Sequence, residues 1–309
     1  MREFNIDYNK TFKPVLLVYI AIIVIGAVML GIFGLDLDIN FSGGTKISYS
    51  YEGDIEVKDI ESVVKKTIDK KFTVTQSTSL AGDTKTFEVS LIGKNALSAE
   101  AQEKLFAALQ KEFKDQKIDI YNSNSVSPTI AGSFFLKSLV AVLITAALVV
   151  LYVGFRFRKI GGISAALTAL FALVVDILVT FVICIIFRLQ IDLNFMAVIL
   201  TILGYSLNDT IVIYDRIREN NRLYPDKEIG DLVNMSVNKV MIRNIVTTVT
   251  TIVAIVAIIL VAEFFGLTTL RTFAIPMAFG LVSGSISSIF LSGPLWVIWQ
   301  RHKANKAKK

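Results

Sequence analysis

Metal and disulfide chemistry have almost nothing to work with in this chain. Its 309 residues include one cysteine, Cys184, and one histidine, His302. A lone thiol closes no disulfide framework, and one residue of each type supplies no Cys/His ligand set for a metal. The sequence also offers no Ser-His or Cys-His pairing and no phosphate-binding glycine loop, so neither an enzyme nor a bound cofactor is expected. Charge is scarce as well, at 19% of residues against roughly 25% in soluble domains. What remains is apolar. Hydrophobic residues make up 53% of the chain and the mean hydropathy is +0.61, with the charges gathered in a few segments. The long uncharged runs between them read as membrane spans. In a soluble protein the net charge of +6 would suggest nucleic acid. Here much of the excess lies in short loops and the tail, where it reports topology, and no nucleic-acid partner is expected.

Six runs reach or approach the roughly 20 residues that a helix needs to cross a bilayer. They are Val15 to Gly34, Phe134 to Phe155, Ile160 to Phe187, Leu193 to Tyr214, Asn244 to Ala262 and Thr272 to Trp299. A polar lead, residues 1–14, precedes the first; Pro14 closes it. The first run is long and no evident cleavage site follows it, so it reads as a retained span. A polar segment, residues 35–133, separates spans one and two, giving a one-plus-five arrangement with a bundle over 134–299 and a basic tail over 300–309. Arg156, Arg158 and Lys159 lie between spans two and three. Arg216, Arg218, Arg222, Lys227, Lys239 and Arg243 lie between spans four and five. The opposite loops hold only Arg188 and Arg271 as cations. The positive-inside rule therefore places both termini in the cytoplasm and the polar segment outside.

That segment has the pattern of one small α+β domain. Lys46 to Tyr51, Phe72 to Ser79, Thr84 to Ile92 and Ile118 to Val126 are strand candidates. Val57, Ile60, Val64 and Ile68 follow helical spacing, with Asp54 or Glu56 near the start. Ser98 heads a second helix, with Gln102 or Glu103 available as its N-terminal partner. Ala81-Gly82-Asp83 signals a hairpin turn. The order β-α-β-β-α-β is the ferredoxin-like pattern, and two helices on one face of a four-stranded sheet are expected.

The fourth span carries the residues that matter most for function. Asn208 and Asp209 interrupt an apolar run, and a carboxylate in hydrocarbon costs several kcal/mol unless neutralised, paired or hydrated. Asp215, Arg216, Arg218 and Glu219 then mark the end of the span; Asp215 and Arg216 are expected to cap it. At 1.5 Å per residue Asp209 lies about 9 Å inside that boundary. Two readings stand for Asp209: a group that exchanges ions, or a structural hydrogen-bonding group. Arg243, at the head of the fifth span, either reaches inward toward Asp209 on its long stem or serves as an ordinary positive-inside anchor. A carboxylate held between desolvation and a nearby guanidinium can gain or lose a proton as helices shift. Asp176 is the lone charge of the third span and lies near its middle. It is either a relay or a helix–helix hydrogen-bonding group. Gly280, Gly284, Ser287 and Ser288 in the last span suggest close helix packing, while Trp296, Trp299 and the tail read as interface anchors.

Four stretches carry a resemblance: Asp38-Ile-Asn-Phe-Ser-Gly-Gly-Thr45, Val126-Ser-Pro-Thr-Ile-Ala-Gly132, Gly204-Tyr-Ser-Leu-Asn-Asp-Thr-Ile-Val-Ile-Tyr-Asp-Arg-Ile-Arg-Glu-Asn220, and Ser236 to Thr251. With the one-plus-five arrangement they resemble the SecF family of the bacterial Sec protein-export machinery, over essentially the whole chain. Asn40, Ser127 and Asn244 depart from the family's usual Asp, Gly and Thr. The resemblance implies a multi-pass subunit of the bacterial plasma membrane that pairs with SecD and associates with the SecYEG channel, YidC and YajC. Such a subunit acts on translocating preproteins and couples a proton gradient to late translocation. It also implies a proton path through Asp209 and Arg243, to which Asn208 and Asp176 are added as ion-coupling candidates. The SecD–SecF pair is similar to the resistance-nodulation-division superfamily, so six spans would be one half of a twelve-span unit. The competing reading is half of a small-molecule or lipid exporter of that superfamily.

Overall fold

In lipid every backbone N–H and C=O must be satisfied within the chain, so long apolar runs fold as helices. The computed structural model describes residues 6–69, 72–78, 85–92 and 97–307. In chain order the elements are α1 (Tyr8–Phe33), a one-turn α2 (Ile39–Ser42), β1 (Gly44–Tyr51), α3 (Val57–Thr67), β2 (Phe72–Thr78), β3 (Lys85–Ile92), α4 (Ala99–Glu112) and β4 (Asp119–Val126). The bundle follows with α5 (Pro128–Arg156), α6 (Gly162–Ile186), α7 (Leu193–Leu223), α8 (Ile229–Phe264) and α9 (Thr268–Ser287). A π-helical turn, Ser288–Ser292, carries α9 into α10 (Gly293–Ala307). Six of the described helical stretches are long and apolar enough to cross a membrane, α9 and α10 counting as one. The α6 helix lies at the centre, packed by α1, α5, α7 and α9. One end of the bundle bears the sheet domain; the other, with the α5–α6 and α7–α8 connections, bears most of the cations and is called here the basic end.

The helices overrun the expected spans. The α1 helix begins at Tyr8, so Pro14 lies inside it rather than ahead of it. Its first turn is held by α8: the Tyr8 N–H donates to Asn234 Oδ1 at 3.1 Å, and the Tyr8 hydroxyl donates to Asn238 Oδ1 at 3.1 Å. Asp215 and Arg216 do not cap a helix end, because α7 continues through them to Leu223. Pairs three residues apart, Arg216–Glu219 at 2.6 Å and Arg218–Asp215 at 2.8 Å, support the extra turns. Asp215 also meets Arg156 of α5 at 3.1 Å, and the Asn220 amide donates to Ser236 Oγ of α8 at 2.8 Å. The charged half of the α7 motif thus ties three helices together at the basic end.

The sheet is antiparallel with order β2-β3-β1-β4. Alternate side chains Ile47, Tyr49, Phe87, Val89 and Leu91 pack beneath Ile60 and Val64 of α3 and Leu105 and Leu109 of α4. Both helices therefore cover one face, as the ferredoxin-like pattern requires. Ser98 caps α4, accepting from the Ala101 N–H at 3.3 Å. Gln102 does not close a capping box; its amide donates to the Leu97 carbonyl at 3.0 Å. The Ala81-Gly82-Asp83 turn lies outside the described residues.

Gly43 and Gly44 join this domain to the membrane. Gly43 ends α2 with φ +77°, and a Cβ there would sit 3.1 Å from Pro128 Cα at the start of α5. Gly44 has φ +144°, and a Cβ would fall 2.1 Å from the Leu91 carbonyl oxygen. Only glycine fits both demands. Thr45 completes the joint: its Oγ1 accepts from the Leu97 N–H at 2.8 Å and pairs with Ser125 Oγ at 3.0 Å.

Candidate functional site

Asp209 sits on the buried side of α7, 1% exposed, among Ser206, Thr210 and Ile213 of the same helix. Among the described residues its Oδ2 has no hydrogen-bond partner. Two further orphans lie on α8, which packs against α7: Asn244 Nδ2 and, one turn on, Thr248 Oγ1. Native interiors rarely leave such groups unpaired, and each calls for an explanation. The charge that reaches Asp209 electrostatically is the Arg243 guanidinium.

Arg243 itself is exposed at the head of that α8 segment. It lines a cavity of about 1040 Å³ at the basic end with Lys159, Asp215, Arg216, Glu219 and Lys239. Val212, one turn on from Asp209 in α7, lines the same cavity, which places the buried carboxylate about one turn from this vestibule. Asn208 behaves differently. It is exposed on the outside of the bundle, as is Gly204 one turn earlier, where a Cβ would meet nothing within 4 Å. The structure does not bring Asn208 together with Asp209; consecutive helical positions point about 100° apart.

Asp176 is wholly buried in α6 and fully coordinated by hydroxyls. Ser206 of α7 donates to its Oδ2 at 2.7 Å, and Ser287 of α9 donates to the same oxygen at 2.8 Å. Ser283 of α9 donates to Oδ1 at 2.7 Å. Gly280 and Gly284 make this approach possible: a Cβ on Gly280 would lie 2.1 Å from Ile202 Cδ1, and one on Gly284 would lie 2.9 Å from Ser206 Cβ. The expected close packing of the last span is present. Ser287 and Ser288 do more than pack, since both enter the polar network around Asp176. Sequence reasoning missed Ser206 and Ser283 as partners. The available signal was their spacing: Ser283 and Ser287 are four apart and share a helix face, opposite a lone Asp at matching depth. Among the described residues no group of three or more His, Cys, Asp or Glu could hold a metal ion.

Comparison with known proteins converges on one group. Residues 105–302 match the model of the C-terminal region of protein export membrane proteins SecD/SecF. The chain is similar to the protein translocase subunit SecF of Alicyclobacillus acidocaldarius, at 34% identity over 94% of this chain and 91% of that one. It is similar to SecDF of Bacillus subtilis at 30% identity, over 97% of this chain and 39% of the other. The crystal structure of SecDF from Thermus thermophilus, described as a translocon-associated membrane protein, superposes with a TM-score of 0.80 at 28% identity. That match covers 97% of this chain and 39% of the SecDF chain, so this chain spans about two fifths of the fused relatives.

Proposed function

From the premise that the chain belongs to the SecD/SecF family of protein export membrane proteins, we propose that it couples an ion gradient, carried by protons, to the late steps of Sec-dependent protein export. Its counterpart half is SecD, and the assembly works with the SecYEG channel, YidC and YajC on translocating preproteins in the bacterial plasma membrane. The observation that carries this reading is Asp209: a dry carboxylate in a membrane helix with an unpartnered oxygen, next to the vestibule that Arg243 lines. Burial favours the neutral acid and the guanidinium favours the ion, so helix movement that changes their separation moves a proton on or off. Arg243 is the switching partner, and Asn244 and Thr248 supply polar atoms along the same helix.

The membrane orientation belongs to the same proposal: both termini cytoplasmic, the basic end inside, the sheet domain outside. So does the partner. Asn208 and Gly204 face outward from α7 at a depth where an amide has no good partner in lipid. A small residue beside a polar one suits a closely packed helix from the SecD half.

The test is proton flux and export completion in membranes containing the partner, with protein levels held equal. Asp209→Asn keeps shape and hydrogen bonding but cannot titrate. It should assemble normally and lose ion-driven export. Normal flux in a well-assembled Asp209→Asn protein leaves Asp209 as a structural group and ends the proposal.

A further inference from the structure

We infer that Asp176, with Ser206, Ser283, Ser287, Ser288 and Thr210, forms a second proton-exchanging site, occluded inside the bundle and separate from Asp209. The inference rests on the ion-coupling reading above and adds a station to it. Three hydroxyls from two helices surround the carboxylate, and among the described residues no cation is paired with it. A buried carboxylate with no counter-ion is costly in a membrane, so the shell must serve both its charged and its neutral form. Hydroxyls do this where ammonium or guanidinium groups could not. Each is one donor and two acceptors, and it turns to suit. Around the ion all three donate. When the acid is protonated, one of them rotates to accept from it, with no heavy atom displaced.

The shell also leads somewhere. Ser206 Oγ lies 3.5 Å from Ser288 Oγ, and Thr210 Oγ1 donates to that same Ser288 at 3.0 Å. Ser288 opens the π-helical turn, a departure from α-helical geometry that is frequent at functional positions. One turn further toward the basic end, the Tyr214 hydroxyl contacts Thr168 Oγ1 at 2.7 Å and donates to the Ser292 carbonyl at 3.3 Å. Gln300 then donates to Ser164 Oγ at 2.8 Å at the head of α6. Between Thr210 and Tyr214 the hydroxyl chain breaks over one turn of α7, about 6 Å. The station is therefore closed on that side, and transfer waits on the α7–π-turn contact opening. Each step along the serines forms one O–H bond as it breaks another, so the hydroxyls return unchanged and one proton moves.

Among the described residues no titratable side chain on the surrounding helices hydrogen-bonds to Asp176. The α1 helix contributes Tyr19, whose hydroxyl donates to the Ser283 carbonyl at 2.9 Å. Asp209 and Tyr214 of α7 make no described hydrogen bond to the carboxylate. Lys137, Tyr152 and Arg156 of α5, Arg271 of α9, and Arg301 and His302 of α10 lie at helix ends or on outer faces, and Cys184 of α6 lies two turns away.

The test uses the full chain co-purified with its partner in proteoliposomes, followed by infrared difference spectroscopy on a pH step and by proton flux. Wild type should show a protonated-carboxyl band that titrates and is lost in Asp176→Asn. Ser206→Ala should shift that band, and Thr210→Val should keep the band but lose most of the flux. An Asp176→Asn protein with full flux, or a carboxyl band that ignores pH, overturns the second station. If Asp209→Asn abolishes flux while Asp176→Asn does not, only this inference fails. If both retain flux, the ion-coupling reading fails with it.

Discussion

At the scale of single residues, two buried aspartates in adjacent helices have opposite surroundings. Asp176 is saturated with hydroxyl donors, whereas Asp209 keeps an empty oxygen. The empty one is the better site for a switch, since its free energy changes most when a partner arrives or leaves. Arg243→Lys retains the charge but removes the planar fork and shortens the reach. It should insert normally and lose most proton flux, measured against wild type at matched expression. Asp215→Asn makes the contrasting case. Asp215 is half-exposed and paired with Arg156 and Arg218, and such pairs contribute only about 0–1 kcal/mol. Flux should stay near wild type, with at most a small fall in thermal stability. A large flux defect there would move the proton path toward the vestibule.

At the scale of elements, the ends of α8 and the root of β1 give the sharpest expectations. Glu228 caps α8, accepting from the Gly230 and Asp231 N–H groups at 2.9 and 3.1 Å, and pairs with Arg301 of α10 at 2.6 Å. The Arg301 hydrogen bond, more than burial opposes it, holds the Glu228 carboxyl below its ordinary value of 4.5. Because the folded value is depressed, this contribution is present above pH 4.5 and is lost as pH falls through the folded value. Glu228→Ala should cost about 1 kcal/mol, as loss of an N-cap does, and should flatten the acid limb of a melting-temperature profile. Gly44→Ala should cost more, about 1–3 kcal/mol from the forced backbone alone, because its Cβ meets the Leu91 carbonyl. Thermal unfolding of the variant checks it.

These elements also show what sequence could and could not reveal. The six spans and the β-α-β-β-α-β order were legible because lipid and sheet faces impose simple periodicities. Asp209 and Asp176 stood out because charge in hydrocarbon is rare. The helix ends were not legible. Amphipathic continuations such as Ile229 to Arg243 leave hydropathy behind while remaining helical through contacts to α1 and α10. The serine shell was hidden for a related reason: small hydroxyl residues are common in packed spans, and only the crossing of α6, α7 and α9 selects which of them meet Asp176.

At the scale of the whole molecule, one bundle carries one appended sheet, and its sidedness is open to measurement. On a Cys184→Ser background, Lys58→Cys lies on the exposed side of α3. An impermeant thiol reagent should label it from outside the cell and not from the cytoplasm; labelling from inside alone would invert the proposed orientation. The way the sheet is attached has a mechanical consequence. Its two strands to the membrane leave side by side, Gly44 pairing with Val126 and Gly43 lying against Pro128. Beneath β1, β2 and β3, a gap of about 470 Å³ opens toward Arg188, Asn194 and Arg271. The far margin of the sheet, β2, rests on α9, so a tilt about the rooted margin would require that contact to part. An eight-residue strand reaches about 27 Å from its root, so a tilt of about 10° at the glycines would sweep its tip through about 5 Å. A small rotation at the start of α5 would thereby be magnified at the far tip of the strand.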